Sequence, residues 1–264
     1  MATAMPWITE RLQNYGQYSK TPLFDLFAPT FEKQMKRVEI RTLESIVFIQ
    51  NGGKFEPKAL PIKAQFSSAF CPVVADFNND GCEDIFISQN EFSLHPEESR
   101  EDAGLGLLML GDGEGSFRAL SISESGVVVP GEGRGSAAAD FDHDGRTDLL
   151  VAQNGSTPRL FKNQTMRIGL RVILQGDEQN PEGVGATMRL KIGDGLGAKR
   201  IVRLGSGYLS QNAPTQVLGN NEQATGLIVA WPSHGKTEFF NLQSGQLEIV
   251  AIKGRGSAWP SASQ

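Results

Sequence analysis

The 264-residue chain carries a formal net charge of −5, with 39% hydrophobic and 21% charged residues. That is the composition of a globular fold, and its acidic balance offers no sequence-independent grip on a phosphate backbone, so nucleic acid is excluded as a partner. No apolar run approaches the ~20 residues of a bilayer-spanning helix, which predicts no membrane insertion. Residues 1–18 lack the apolar stretch of a signal peptide, so this chain carries no export signal of its own.

Residues 1–37 form a short helical segment in this reading. Ile8, Leu12, Leu23, Leu26, Phe27 and Phe31 are spaced for apolar faces from residue 6 onward, with breaks near Gly16 and Pro22. From about residue 38 the pattern changes to short β-like runs punctuated by Gly, Asn and Asp.

Aligned with itself, the chain repeats. Residues 73–90 match 137–154 at an offset of 64, each reading Asp-Phe-Asx-x-Asp-Gly-x-x-Asp, then an apolar run, then Gln-Asn. A second piece, 47–55, matches 108–117 at an offset that ends at 62. Two pieces recurring at nearly one period define a unit of about sixty residues, read as four antiparallel strands: one ending at Asp76, one over 84–88, one over 107–110 and one near 117–122. Four such strands repeated radially describe a propeller blade. Residues 38–60 read as the outer half of one blade and 135–163 as the first three strands of another. Some two and a half units cannot close a ring, so 38–165 is a partial β-propeller.

The loops carry the chemistry. The first offers Asp76, Asn78, Asp80 and Asp84, and the second Asp140, Asp142, Asp144 and Asp148, with Gly81 and Gly145 in matching places. Carboxylates this close repel one another unless a cation sits among them. Oxygen side chains at positions 1, 3 and 5 point to one side of a tight loop. The glycine turns the chain so that the position-7 carbonyl, of Cys82 or Arg146, also faces inward, and position 9 closes the shell. Six to eight oxygens suit Ca²⁺ better than Mg²⁺, so two calcium sites are expected. An EF-hand is excluded because position 12 is Ile87 or Val151 inside a strand-like run instead of a bidentate Glu.

Other candidates are weaker. Cys71 and Cys82 lie eleven residues apart and read either as one disulfide in an exported protein or as two free thiols. His95, His143 and His234 stand in no triad or metal-ligand spacing, and His143 reads as solvent-exposed. Gly111-Asp112-Gly113-Glu114-Gly115 is a hairpin turn, since no helix follows it to make a phosphate cradle. The stretch 90–104 gathers Glu97, Glu98, Arg100 and Asp102, and should emerge at the opposite end of the blade from the first Asp loop as a possible ligand loop.

Beyond Asn163 the repeat stops. Strand-like runs at 170–174, 187–192, 200–204, 227–231 and 248–252 predict a second, small β-sandwich or barrel over 166–253, followed by a Ser-rich disordered tail at 254–264.

With these residues in view, the Asp loops and Gly-rich hairpins resemble FG-GAP/VCBS repeats of integrin-like β-propellers. The region after residue 166, with Asn180-Pro-Glu-Gly-Val-Gly-Ala186, Gly207-Tyr-Leu-Ser-Gln211 and Trp231-Pro-Ser233, resembles the ASPIC/UnbV domain of cartilage-acidic-protein-like proteins. The resemblance implies a calcium-binding extracellular or periplasmic module for adhesion or for a protein or glycan ligand, without catalysis. It also implies further blades from a longer chain, of which this would be a C-terminal part. The alternative from another class is a polysaccharide-acting enzyme or accessory subunit that uses Glu98 and Asp102 of the 90–104 loop as an acid/base pair.

Overall fold

The structure, a computed structural model, describes residues 6–26, 38–232 and 237–259. Phe27, Phe31, Ser233 and His234 lie outside the described residues. The chain divides into two compact units, Met1–Leu43 and Glu44–Gln264. In the first, helices α1 (Trp7–Arg11), α2 (Tyr15–Lys20) and α3 (Leu23–Leu26) are short. Ile8 and Leu26 are buried there, and Arg11 Nη1 donates to the Leu26 carbonyl at 2.8 Å. Gly16 sits inside α2, whose start is capped by Asn14 accepting the Gln17 N–H at 2.9 Å.

The second unit is mainly β and contains no closed barrel. Strands β1 (Ile46–Asn51) and β2 (Lys54–Ala59) form a two-stranded hairpin. Strands β3 (Ala69–Ala75), β4 (Asp84–Gln89), β5 (Leu107–Gly111) and β6 (Phe117–Ala119) form a four-stranded antiparallel meander in that order. After a short helix α4 (Ile122–Ser125), strands β7 (Glu132–Ala139), β8 (Asp148–Asn154) and β9 (Ser156–Phe161) make a three-stranded sheet. The ladders share one register: Phe86 faces Leu108 as Leu150 faces Leu160, and Ile85 faces Met109 as Leu149 faces Phe161. The sixty-residue sequence repeat is therefore a repeat of strand pairing.

Every residue of β4 is buried because its two faces meet two different cores. Ile85 and Ile87 pack with Ala64, Leu107 and Met109 on one side. Phe86 packs on the other with Val73 and Phe77, against Ala138, Leu149 and Val151 of the next sheet. An uninterrupted apolar run flanked by turn residues is what a strand covered on both faces needs. The small residues of β7 let its backbone come close, and a Cβ on Gly133 would lie 3.0 Å from the Ser88 Cβ.

C-terminal to these sheets, β10 (Leu170–Gln175) pairs antiparallel with β14 (Gln216–Leu218) and parallel with β17 (Glu248–Ile252). A second sheet contains β11 (Thr187–Ile192), β12 (Gly195–Leu196), β13 (Arg200–Ile201), β15 (Ala224–Ala230), β16 (Thr237–Asn241) and β18 (Ser257–Ala258). Leu170, Val172 and Leu174 of the first meet Met188, Leu190, Leu227 and Val229 of the second, and Trp231 closes the core. This is a two-sheet sandwich, not a barrel. The expected strand over 200–204 shrinks to Arg200–Ile201, and β14, β16 and β18 were not anticipated. The expectation of a disordered tail from residue 254 is corrected in part: β18 extends the sheet, and Trp259 stacks on Phe239 with ring centroids 5.0 Å apart.

The sandwich and the repeat sheets share a tight seam. The Ala213 N–H donates to the Ala138 carbonyl at 3.0 Å, and Asn212 Oδ1 accepts the Ala138 N–H at 2.9 Å. The Asn220 N–H donates to the Asn79 carbonyl at 3.2 Å. A Cβ at Gly219 would come within 2.2 Å of Asp76 Oδ2 and 2.5 Å of the Asn79 carbonyl carbon. Backbone on one side and a held carboxylate on the other leave no room to yield. Gly219→Ala is predicted to destabilise the protein by about 1–3 kcal/mol, the usual cost of overpacking. Urea denaturation measures this, and an unchanged midpoint would contradict so close a seam.

Candidate metal centre

Both Asp loops leave the first strand of a sheet and return into its second, joining β3 to β4 and β7 to β8. Position 1 is the hub of each. Asp76 Oδ1 accepts the Asp80 N–H at 3.1 Å and Oδ2 the Gly81 N–H at 2.8 Å. Asp140 does the same for Asp144 and Gly145, at 3.0 and 3.2 Å. At position 5, Asp80 accepts the Cys82 N–H at 2.8 Å and Asp144 the Arg146 N–H at 3.0 Å.

Position 9 closes each loop. Asp84 Oδ2 accepts the Phe77 N–H at 2.8 Å and Asp148 Oδ2 the Phe141 N–H at 3.1 Å. Their other oxygens tie the loop to the third strand through the N–H groups of Gly111 (3.0 Å) and Asn163 (2.7 Å). Position 4 is left-handed in both, with φ of 55° at Asn79 and 64° at His143, and the following glycines reach 91° and 77°. Left-handed backbone of this kind is where a glycine is needed and where Asn and His are best tolerated.

The loops touch each other. Asn79 Nδ2 donates to the Gly145 carbonyl at 3.1 Å, and Asn163 Nδ2 donates to the Phe77 and Thr147 carbonyls at 2.7 and 2.9 Å. The first loop is covered, with Asn79 and Phe77 buried, whereas His143 and Phe141 at the same positions of the second are exposed.

Charge divides the loops further. In the second, Lys162 pairs with Asp142 and also lies 3.5 Å from Asp144, and Arg146 lies 3.1 Å from Asp144. Arg171 of β10 places its Nε 3.0 Å from Asp140 Oδ2 and pairs with Glu248 through Nη1. In the first loop a single guanidinium is present among the described residues: Arg200 of β13 lies 4.0 Å from Asp76 and pairs with Glu83. The ladder equivalent of Lys162 is Leu110, which brings no charge.

The carboxyl groups respond accordingly. Burial pushes Asp76 and Asp148 above the ordinary carboxylate range, against the backbone N–H groups that pull them down. Burial, with Asp76 and Asp80 nearby, pushes Asp84 up to about 7. Asp142 is held low by the Lys162 ammonium. The Cys82 thiol is pushed up to about 11 by burial and the surrounding aspartates, which keeps it protonated near neutral pH, and both cysteines are free.

A hard cation fits this donor set. Asp140, Asp142 and Asp148 each present a carboxylate oxygen, and these oxygens all lie within 4.8 Å of one another. Oxygens on a sphere of about 2.4 Å radius, the calcium–oxygen distance, are separated by no more than twice that. The first loop has carboxylates at positions 1, 5 and 9 but an amide at 3. Asn78 Nδ2 donates to Asp80 Oδ2 at 2.8 Å, and its Oδ1 accepts the Asp80 N–H at 3.0 Å.

The 90–104 stretch emerges at the far end of β4, as expected. Its base is pinned by the Glu91–Glu101 bridge and by Asn90, whose side chain bonds the Gly104 N–H and carbonyl, both at 2.8 Å. Arg134 adds contacts to the Asn90 carbonyl, Glu91 and Glu132. Beyond that base, Glu97, Glu98, Arg100 and Asp102 are exposed, with Arg100 over the Phe92 ring and 3.8 Å from Asp102. The second sheet turns directly from β8 to β9 at Gly155, so this loop is an insertion in one repeat only. Sequence reasoning missed Arg171, Arg200, Asn79 and Lys162.

Two comparisons place these features among known proteins. Residues 176–255, most of the sandwich, match the ASPIC and UnbV family model. Over 207 residues the chain is 26% identical to Cartilage acidic protein 1 of Homo sapiens, across 75% of this chain and 30% of that protein. The chain thus spans less than a third of that relative's length. Among the described residues no helix is long and apolar enough to cross a membrane.

The raised Asp84 predicts a pH signature. Its folded-state pKa lies above the unfolded value near 3.9, so its stabilisation is present below the unfolded pKa and lost as pH rises through about 7. Without divalent cations, this contribution should be lost between about pH 4 and 7, so wild type should lose stability in urea relative to Asp84→Asn across that window. Parallel pH profiles for the two proteins would contradict the assignment.

Proposed function

We propose that this chain is a calcium-stabilised extracellular module for adhesion or ligand binding, built from FG-GAP/VCBS-type propeller blades followed by an ASPIC/UnbV domain. The observation that carries the proposal is the shared geometry of the loops: the same carboxylates, at positions 1, 5 and 9, cap the same backbone N–H groups in both. The family match at 176–255 and the distant match to Cartilage acidic protein 1 support the extracellular setting.

Asp140, Asp142, Asp144 and Asp148, with the Arg146 carbonyl, would hold one ion, and Asp76, Asn78, Asp80 and Asp84, with the Cys82 carbonyl, the other. Bound calcium would supply positive charge to carboxylates that burial otherwise penalises. The aspartates' own part is to fix the loop backbone, and with it the start of β4 and β8. At the opposite end of the blade, the inserted 90–104 loop presents Glu97, Glu98, Arg100 and Asp102 to a protein or glycan ligand. The glycan-hydrolase alternative has no geometric feature in its favour, since Glu98 and Asp102 are exposed and Asp102 faces Arg100.

Thermal melts in calcium, magnesium and chelator test the proposal, alongside Asp140→Asn/Asp144→Asn. Free calcium at about a hundred times Kd adds ~2.7 kcal/mol per site that binds only the folded state. A calcium-specific rise in Tm, reduced in the variant, is expected. Identical melts in calcium and chelator would overturn the calcium assignment.

A further inference from the structure

Two asparagines tie the Asp loops to each other, and neither belongs to what the units repeat. The Asn163 N–H donates to Asp148 Oδ1 at 2.7 Å, as the Gly111 N–H donates to Asp84 Oδ1 at 3.0 Å in the first unit. Asn163 therefore stands where the first unit has Gly111. No side chain fits at Gly111, since a Cβ there would lie 2.2 Å from the Glu83 carbonyl oxygen. The Asn163 side chain reaches both loops: Nδ2 donates to the Thr147 carbonyl of its own loop at 2.9 Å and to the Phe77 carbonyl of the first at 2.7 Å. Its Oδ1 accepts the Thr165 N–H at 3.0 Å, which fixes the end of the amide that faces the loops. Asn79 makes the opposite crossing. It is 2% exposed, and its Nδ2 donates to the Gly145 and Arg167 carbonyls at 3.1 and 3.0 Å. His143, at the same position of the second loop, is exposed and makes no such bond among the described residues.

The carbonyls held in this way sit beside the metal-facing groups. Gly145 and Thr147 flank Arg146, whose carbonyl is the expected position-7 ligand, so Asn79 and Asn163 fix the peptides on either side of it. In the first loop, Phe77 gives its carbonyl to Asn163 and its N–H to Asp84 Oδ2. The position-9 carboxylates of the two loops, Asp84 and Asp148, are thus joined through Phe77 and Asn163 by three hydrogen bonds of 2.8, 2.7 and 2.7 Å.

We propose that Asn79 and Asn163 are positioning residues that make the two loops one binding unit, so that a divalent cation binds either loop more tightly when the other is filled. This coupling rests on the calcium-binding reading of the loops. Closing one loop orders the peptides that the two amides hold, so the second ion meets a loop whose ordering is already complete. Charge acts in the opposite direction, because two like ions repel. The sign of the coupling therefore separates shared ordering from simple electrostatics. Coupling between sites is reciprocal and typically changes affinity about fivefold or more.

Calorimetric titration of the full chain with calcium, in buffer freed of other divalent cations, tests this with four variants. Asp76→Asn/Asp80→Asn and Asp140→Asn/Asp144→Asn each leave one loop intact. Asn163→Ala keeps its backbone N–H for Asp148, and Asn79→Gly suits the left-handed φ of 55° at that position. Both asparagine variants leave every loop carboxylate in place. Circular dichroism checks that each fold persists, and Asn79→Gly carries the test if Asn163→Ala does not fold. Wild type should take up two ions with positive cooperativity. The loop left in each aspartate variant should bind about fivefold or more weakly than in the wild type whose other loop is filled. Asn163→Ala and Asn79→Gly should bind two ions independently. No calcium uptake by wild type would overturn the calcium reading and the coupling with it. One ion alone, or two independent ions, would overturn the coupling and leave calcium binding standing. Cooperativity that survives in the asparagine variants would overturn the role given to the two amides.

Discussion

Two arginines of the C-terminal sandwich rest on the first aspartate of each Asp loop, and the relation between the two β modules depends on that contact. Arg171 meets Asp140 and Arg200 meets Asp76, with both carboxylate side chains fully buried and both arginines nearly so. Those aspartates are the hubs of their loops, so one carboxylate sets the loop backbone and anchors the sandwich. The guanidinium Nε of each arginine is buried without a hydrogen bond, so the contact acts mainly through charge. Removing one partner of a buried ion pair typically costs about 3–5 kcal/mol, because the other is left desolvated and unpaired.

The same geometry explains why the two loops differ although their sequences nearly repeat. The second is flanked by Arg171, Arg146 and Lys162, which offset most of its negative charge. The first is pressed between the second loop and the sandwich and meets Arg200 alone among the described residues. Its carboxyl groups respond by moving toward the protonated form. A cation therefore has more to offset in the first loop, even though the second has the tighter carboxylate cluster.

Much of the repeat was legible in the sequence because it depends on local signals. Asp and Gly at fixed spacing dictate the loop hydrogen bonds, and the apolar run after each loop dictates a buried strand. The sandwich was legible only as a set of strands. The parallel pairing of β10 with β17 joins residues nearly eighty apart, and nothing local announces it. Arg171 and Arg200 were invisible as site residues because each reads as an ordinary strand position whose partner is distant in the chain. Asn79 and His143 occupy one loop position and one backbone conformation, yet one is buried and the other exposed. What covers a loop is a tertiary fact, and the repeat itself does not carry it.

Buried arginine–aspartate contacts that couple the repeat sheets to the sandwich require the two parts to unfold as one. Two probes separate the parts in a Trp7→Phe/Cys82→Ser background: fluorescence of Trp231 and Trp259 reports the sandwich, and labelling of buried Cys71 reports β3. Measured in the same urea titration, the two transitions should coincide. Adding Arg171→Met and Arg200→Met should lower both midpoints and pull them apart. Transitions already separate in the parent protein, or midpoints unmoved by the two substitutions, would contradict the account.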